Sequence, residues 1–150
     1  MPAVVTSSAD VVKARAADVS IPEGGNADAT VTLSISPGYH INANPATYPY
    51  LIATEISQTG NPDDSQSILG KPVYPPGVAK KFAFAEQPLA VYEGNVTIKL
   101  PIHFENNKSY VRVTKGAHIS IPLAVRVQAC DNEKCYPPAT LDAAIRIEVR

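Results

Sequence analysis

The chain has 150 residues, enough for one domain that buries roughly 68 to 70% of the surface its unfolded form would expose. Hydrophobic residues make up 45% of the sequence and charged residues 18%, a composition typical of folded rather than disordered proteins. The formal net charge is −1 and no run of Lys or Arg occurs, which argues against nucleic acid or an anionic membrane surface as the main partner.

The apolar stretches and the first residues of this sequence bear on its location in the cell. No apolar stretch approaches the ~20 residues that a membrane-spanning helix requires. The first residues lack the basic start and apolar run of a secretory signal. We therefore expect either a cytosolic protein or an exported one whose signal is absent from this chain.

Alternation of apolar and polar residues predicts β-strands along the whole chain. In chain order, the predicted strands cover residues 11–19, 30–35, 51–57, 89–92, 96–104, 119–129 and 141–149. Turn signals such as Ser36-Pro37-Gly38 and Glu93-Gly94-Asn95 separate them. Short strands with such turns predict an all-β fold, a single immunoglobulin-like antiparallel β-sandwich. We expect residues 1–10 to form a flexible N-terminal segment and residues 11–150 to form the domain.

The two cysteines, Cys130 and Cys135, lie only five positions apart. The four residues between them, Asp131-Asn132-Glu133-Lys134, predict a tight turn that brings the thiols within reach of a disulfide bond. Counting alternate residues along the preceding strand places Cys130 on the outward face, where a partner could reach it. The two prolines that follow at residues 137 and 138 interrupt the strand pattern, so the same count does not show which face Cys135 occupies.

Spacing alone leaves three interpretations of the cysteine pair open. A structural staple in an exported sandwich would stabilise a six-residue ring by about 2 kcal/mol. A redox pair would exchange its disulfide with other proteins. A zinc site could recruit His40, His103 or His118, although one short-spaced cysteine pair is a weak metal signal. If the disulfide is a staple, the rival function is a binding module that uses the loops between residues 42 and 81.

The cysteine segment resembles a known active-site hairpin. Gln-Ala-Cys at residues 128–130, an acidic-polar turn, and Cys-Tyr-Pro-Pro at residues 135–138 are similar to the hairpin of the N-terminal periplasmic domain of the thiol:disulfide interchange protein DsbD. Residues 38–42, 50–55, 74–77 and 91–94 also resemble that domain, in the expected order, so the similarity extends over residues 11–149. The turn departs from the pattern of some members, which have five residues between the cysteines.

The resemblance implies an immunoglobulin-like, electron-carrying domain of a periplasmic protein-disulfide reductase. Its partners would be a thioredoxin-like donor and oxidised periplasmic thioredoxin-fold acceptors, with no nucleic acid and no cofactor. Cys130 and Cys135 match the redox pair of the family, and Cys135 is expected to form the mixed disulfide. We expect a monomer that meets a membrane only through a segment absent from this chain.

The resemblance also implies a cap loop over the cysteine pair. The equivalent stretch is residues 80–86, so Phe82 or Phe84 is the expected lid, although this stretch is basic before Phe82 and lacks the acidic run of the family. Core packing on a strand is the competing interpretation for at least one of these rings. Tyr39, His40 and Tyr136 are expected to flank the dithiol, with a purely structural role as the alternative.

Overall fold

The computed structural model describes residues 4–22, 26–59, 69–103, 116 and 118–150. Within these residues a short 3-10 helix, Ser8–Asp10, precedes the strands β1 (Val12–Ala16), β2 (Val19–Ile21), β3 (Asn26–Ile35), β4 (His40–Asn42), β5 (Glu55–Gln58), β6 (Val78–Lys80), β7 (Leu89–Tyr92), β8 (Asn95–His103), β9 (His118–Val127), β10 (Ala129–Cys130) and β11 (Ala139–Val149). None of the helical turns in this part is long and apolar enough to cross a membrane.

The strands form three sheets, ordered β1-β3-β8, β2-β11-β9-β5 and β10-β4-β7-β6. The first two enclose the main core as the two layers of a sandwich. Paired strands are antiparallel except β2, which runs parallel to β11. The predicted all-β, immunoglobulin-like sandwich is confirmed. The large, fully buried side chains that the two layers contribute include Ile21, Leu33, Ile98, Leu100, Ile102, Leu123, Ile145 and Ile147, and β4 of the third sheet adds Ile41.

Burial alternates along the long strands as the sequence pattern predicts. β3, β9 and the second half of β11 bury every other residue over several positions. The predicted strand 11–19 is instead two strands, β1 and β2, which belong to different sheets. β4, β6 and β10 were not predicted, because strands of two or three residues are too short to show alternation. Phe104, at the end of the predicted strand 96–104, lies outside the described residues.

The predicted strand 119–129 changes sheets at Gln128. β9 pairs with β11 and β5 up to Val127, whereas β10 pairs with β4. Ala129 lies opposite Ile41, and both belong to the main core, while Cys130 lies opposite His40. Because side chains alternate across a strand, Cys130 and His40 point away from the main core.

The N-terminal 3-10 helix is anchored beside the cysteine segment. Ser7 and Asp10 form a capping box, and the side chain of Ser8 is fully buried. The Ser8 hydroxyl donates to the Pro137 carbonyl at 2.7 Å and accepts from the Ala129 N–H at 2.8 Å. The domain boundary at residue 10 stays a prediction, but these bonds tie the chain ahead of it to both sides of the cysteine hairpin.

Replacing Ser8 tests this anchor. Ser8→Ala leaves the buried Ala129 N–H without an acceptor, so we expect the free energy of unfolding of the oxidised protein to fall by about 1–3 kcal/mol. Urea denaturation measures it. Ser34→Ala, at an exposed position in β3, is the control and should change stability by less than about 0.5 kcal/mol. Equal effects of the two substitutions would contradict the anchoring role of Ser8.

Candidate functional site

The two cysteines form a disulfide at the tip of a tight hairpin. Their Cα atoms are 3.9 Å apart. Two backbone hydrogen bonds of 2.8 Å frame the pair, one from the Asp131 N–H to the Lys134 carbonyl and one from the Tyr136 N–H to the Ala129 carbonyl. The predicted four-residue turn and the bridging distance are confirmed.

Asp131 organises the turn with both of its carboxylate oxygens. Oδ1 accepts 2.8 Å hydrogen bonds from the backbone N–H groups of Glu133 and Lys134, and Oδ2 accepts a 2.6 Å bond from the Tyr136 hydroxyl. The Tyr136 hydroxyl and then the two N–H groups stabilise the charged carboxylate, so the pKa of Asp131 is lowered. The same hydrogen bond raises the pKa of Tyr136 to about 12, because the neutral phenol is the donor. The negative charge of Asp131 is thus engaged in holding the returning chain.

The two sulfur-bearing residues differ sharply in exposure. Cys130 is 1% exposed, whereas Cys135 is exposed. The prediction that Cys130 is reachable from solvent is therefore wrong. Its side chain does point away from the main core, as counted, but a further layer of residues covers that face. The sequence pattern shows which way a strand residue points and does not show what lies over it.

The residues that cover Cys130 pack on one face of the small sheet β10-β4-β7-β6. We call this face of the sheet the site face and define it by Cys130, His40, Asn42, Leu89 and Val91, which the strand registers place on one side. The second of these residues, His40, is 1% exposed, so its ring is buried although it faces away from the main core.

Phe82 covers the site face. Its ring stacks on the His40 ring with centroids 4.0 Å apart and an interplanar angle of 17°. It is 4% exposed and packs with Leu89 and Val91 in a cluster separate from the main core. Phe82 lies in a turn after β6, where the Ala85 N–H bonds to its carbonyl, so it is not a strand residue. This placement fits the cap interpretation better than core packing on a strand.

Phe84 takes a different position from Phe82. It is 41% exposed, and its ring stacks on Phe82 with centroids 5.5 Å apart. The Lys81 ammonium donates to the carbonyls of Phe82 and Ala85, which closes the turn that carries both rings. Phe84 is therefore the outer ring of the stack, and Phe82 is the ring that contacts the site face.

Tyr39 and Tyr136 support the hairpin from the other side. Their ring centroids are 5.9 Å apart, and Tyr39 packs against the main core. The Lys134 ammonium lies 5.3 Å from the centre of the Tyr136 ring. The contacts of these tyrosines are thus with the hairpin and the core, and their role beside the dithiol stays a prediction.

Two of the three histidines of the zinc interpretation, His40 and His118, lie far apart. His40 lies beside Cys130, whereas His118 begins β9 and Cys130 follows its end. β9 has ten residues, which span about 30 Å in extended conformation. The side chain of His103 lies outside the described residues. No group of three or more His, Cys, Asp or Glu that could hold a metal occurs among the side chains that are described.

The roles of two polar residues of the site, Asp131 and Asn42, were not predicted from the sequence. Asp131 was placed in the predicted turn without a role for its side chain, although an Asp at the first position of a turn is a known signal for this bonding. Asn42 is 1% exposed and donates from Nδ2 to the Ile52 carbonyl at 3.0 Å. It follows His40 by two residues, so a strand period would have placed both on one face had β4 been recognised.

Removing the Phe82 ring tests the cap. In a Cys135→Ser background Cys130 is the single thiol, so its alkylation by iodoacetamide reports access to the site face. We expect Phe82→Ala to raise the alkylation rate roughly tenfold, equivalent to about 1.4 kcal/mol of lost protection. Phe84→Ala removes the more exposed ring and should change the rate much less. If both substitutions have the same effect, or neither has any, Phe82 is not the cap.

Comparison with known proteins shows the family to which the chain belongs. The family model described as the N-terminal domain of the thiol:disulfide interchange protein DsbD matches residues 8–146. No match was found among curated proteins. Two of the solved structures that match at low sequence identity are N-terminal domains.

The N-terminal periplasmic domain of ScsB from Proteus mirabilis is 14% identical, with a TM-score of 0.59. The alignment covers 93% of this chain and 47% of the other, so this chain spans about half the length of that relative. The N-terminal domain of Neisseria meningitidis DsbD, in the reduced form, is 18% identical, with 82% of this chain and 79% of that one covered and a TM-score of 0.48. The family match extends over nearly the whole described sandwich and includes both cysteines. The chain belongs to the family of N-terminal domains of the thiol:disulfide interchange protein DsbD.

Proposed function

We propose that this domain carries electrons between two thioredoxin-like proteins through the Cys130–Cys135 disulfide. The single observation that carries the proposal is the unequal exposure of the two cysteines, with Cys135 exposed and Cys130 buried. A partner thiolate can reach only the exposed sulfur. Exchange therefore begins at Cys135, which is the residue expected to form the mixed disulfide.

The loading reaction takes place in two displacements. A donor thiolate attacks the Cys135 sulfur, the bond to Cys130 breaks, and its electron pair leaves on the Cys130 sulfur. A second donor thiolate then attacks the donor sulfur of the mixed disulfide and releases Cys135 as a thiolate. The donor is oxidised to its disulfide, and the domain holds two electrons as a dithiol.

Delivery to the acceptor reverses this order. The Cys135 thiolate attacks the acceptor disulfide, and one acceptor sulfur leaves with an electron pair. Cys130 then attacks the Cys135 sulfur of the mixed disulfide and releases the second acceptor sulfur. The hairpin keeps Cys130 directly opposite Cys135, so the second displacement is intramolecular and fast compared with escape of the partner.

The surrounding aromatic residues have distinct roles in this proposal. Phe82 limits access to Cys130, so that partners engage Cys135 first. Tyr39 and Tyr136 hold the hairpin in place while the disulfide opens, because their contacts do not depend on the sulfur–sulfur bond. The reaction needs no cofactor, since sulfur carries both electrons.

The family supports the class of partner. Its description names a thiol:disulfide interchange protein, and membership implies thioredoxin-like redox partners. The ScsB relative is described as a periplasmic domain, so we place this domain in the periplasm, as a monomeric module of a protein-disulfide reductase. A purely structural staple would gain nothing from leaving one cysteine exposed at a hairpin tip, and this favours exchange over the binding-module alternative.

Covalent trapping tests the proposed role of each cysteine. The probe is a thioredoxin that keeps only its exposed active-site cysteine, activated as a mixed disulfide with thionitrobenzoate. Cys130→Ser retains the exposed thiol and should form the domain–thioredoxin disulfide at least roughly ten times faster than Cys135→Ser, because thiol exchange depends on access to the sulfur. Non-reducing electrophoresis of quenched samples measures the rates.

Two controls make this comparison decisive. The double variant with both cysteines replaced by Ser should form no adduct, which shows that trapping uses these thiols. Urea denaturation of each variant confirms that it is folded. Equal trapping rates for the two single variants, or trapping by Cys135→Ser alone, would contradict the proposed direction of attack.

A further inference from the structure

His40 has a buried ring nitrogen for which the described structure supplies no hydrogen-bond partner. The residue is 1% exposed, and Nε2 is the unpartnered atom. Such atoms are rare in folded proteins, because each costs about 1–3 kcal/mol when it is left unsatisfied. The stacked Phe82 ring covers the imidazole but offers it no hydrogen bond in the plane of the ring. The oxidised protein therefore retains a polar atom whose bonding capacity is unused.

The neighbour of His40 across the sheet is Cys130. The two residues lie directly opposite each other in β4 and β10, on the site face. Directly opposite residues in an antiparallel pair have Cβ atoms about 4.5 to 5.5 Å apart and share one face. The disulfide sulfur of Cys130 has no proton to offer. The thiol that appears on reduction has one, and it lies on the same face of the sheet as His40.

We propose that His40 is the proton acceptor of Cys130, taking the thiol proton on Nε2 when Cys130 attacks the mixed disulfide at Cys135. The inference rests on the proposed exchange function and adds to it a catalytic residue. A buried thiol is a poor nucleophile until it is deprotonated. Cys130 and His40 are each 1% exposed, so the base nearest to the thiol is a side chain of the protein.

Proton transfer to His40 precedes the attack of Cys130 on the mixed disulfide. The Cys130 S–H bond breaks, and its proton moves to Nε2 of a neutral imidazole. The Cys130 thiolate attacks the Cys135 sulfur, the bond from Cys135 to the acceptor sulfur breaks, and the electron pair leaves on that acceptor sulfur. The proton then passes from His40 to the leaving thiolate or to solvent. The domain loses two electrons and the acceptor disulfide gains them.

The electrostatic surroundings keep the imidazole available as a base. Burial lowers the pKa of His40, and this is the largest influence. The charged groups that face it are Glu93 and Asp131, which raise the pKa, and Lys80, which lowers it. Lys80 and Glu93 form an ion pair of 2.6 Å, so their effects on His40 oppose each other. The neutral, proton-accepting form is therefore present at neutral pH and is lost only as the pH falls through the lowered pKa.

Rapid-quench kinetics with oxidised glutathione separate the two steps. The reduced domain first forms a glutathione mixed disulfide at Cys135, and Cys130 then resolves it, so mass spectrometry of acid-quenched samples follows each species. His40→Phe keeps an aromatic ring against Phe82. We expect it to leave the first step unchanged and to slow the second roughly a hundredfold at neutral pH, the scale of general-base catalysis.

The pH profile distinguishes a proton acceptor from a packing residue. In the unmodified protein the resolution rate should be flat above the pKa of His40 and should fall below it. In His40→Phe the rate should rise with pH until the Cys130 thiol ionises unaided, and the two proteins should converge at high pH. His40→Gln, which can accept a hydrogen bond but not a proton, should behave like His40→Phe. His118→Phe, at an exposed histidine distant from the site, is the control and should match the unmodified protein.

The outcomes separate the two proposals. If the unmodified domain forms no mixed disulfide and no resolved product, the exchange function fails. If it does both, but the His40 variants keep its resolution rate and pH profile, the role of His40 is wrong. A slowing of both steps to the same extent, with no recovery at high pH, would also overturn it, because that pattern indicates a packing role.

Discussion

The pairing of the two-residue strand β10 with β4 is the constraint on which the site depends. It sets Ala129 and Ile41 into the main core and turns Cys130 and His40 to the opposite face. The backbone then returns through the Asp131 turn and places Cys135 directly across from Cys130. Without this short pairing, neither the burial of one sulfur nor the exposure of the other would be fixed. The sandwich beneath it serves as a rigid support.

The small sheet gives the domain a second covered face. A β-sandwich normally exposes the outer faces of its sheets, and a disulfide placed there would be open to any thiol. Here Phe82 packs over His40, Leu89 and Val91 on the face that carries Cys130, and Cys130 is buried whereas Cys135 is exposed. Asp131 accepts hydrogen bonds from two N–H groups of the turn and from the Tyr136 hydroxyl, whereas Nε2 of His40 and Oδ1 of Asn42 on the site face have no hydrogen-bond partner in the described structure. Phe82 and the proposed proton acceptor, His40, thus lie together on the site face of the small sheet.

The long strands and the disulfide hairpin could be predicted from sequence, because both depend on local patterns. Alternation of apolar and polar residues over nine to eleven positions predicted β8, β9 and β11. The polar turn between the cysteines predicted that the two thiols lie close together. The exposure of Cys130 was predicted wrongly, since the residue that covers its face, Phe82, is 48 positions earlier in the chain. Short strands such as β4 carry no periodicity, so the placement of His40 opposite Cys130 required the three-dimensional structure. A sequence pattern shows which way a side chain in a strand points. Whether a distant segment covers that side chain depends on the tertiary fold.

The central claim is that the disulfide opens and closes while the domain stays folded. The most direct measurement is a redox titration with dithiothreitol and its oxidised form, in which thiol content and the near-ultraviolet circular dichroism of the tyrosines are followed in the same samples. We expect a reduction potential above the roughly −300 mV typical of structural disulfides, with the tyrosine signal of a folded protein retained at full reduction. A potential below that value, or reduction that occurs only as the protein unfolds, would contradict it.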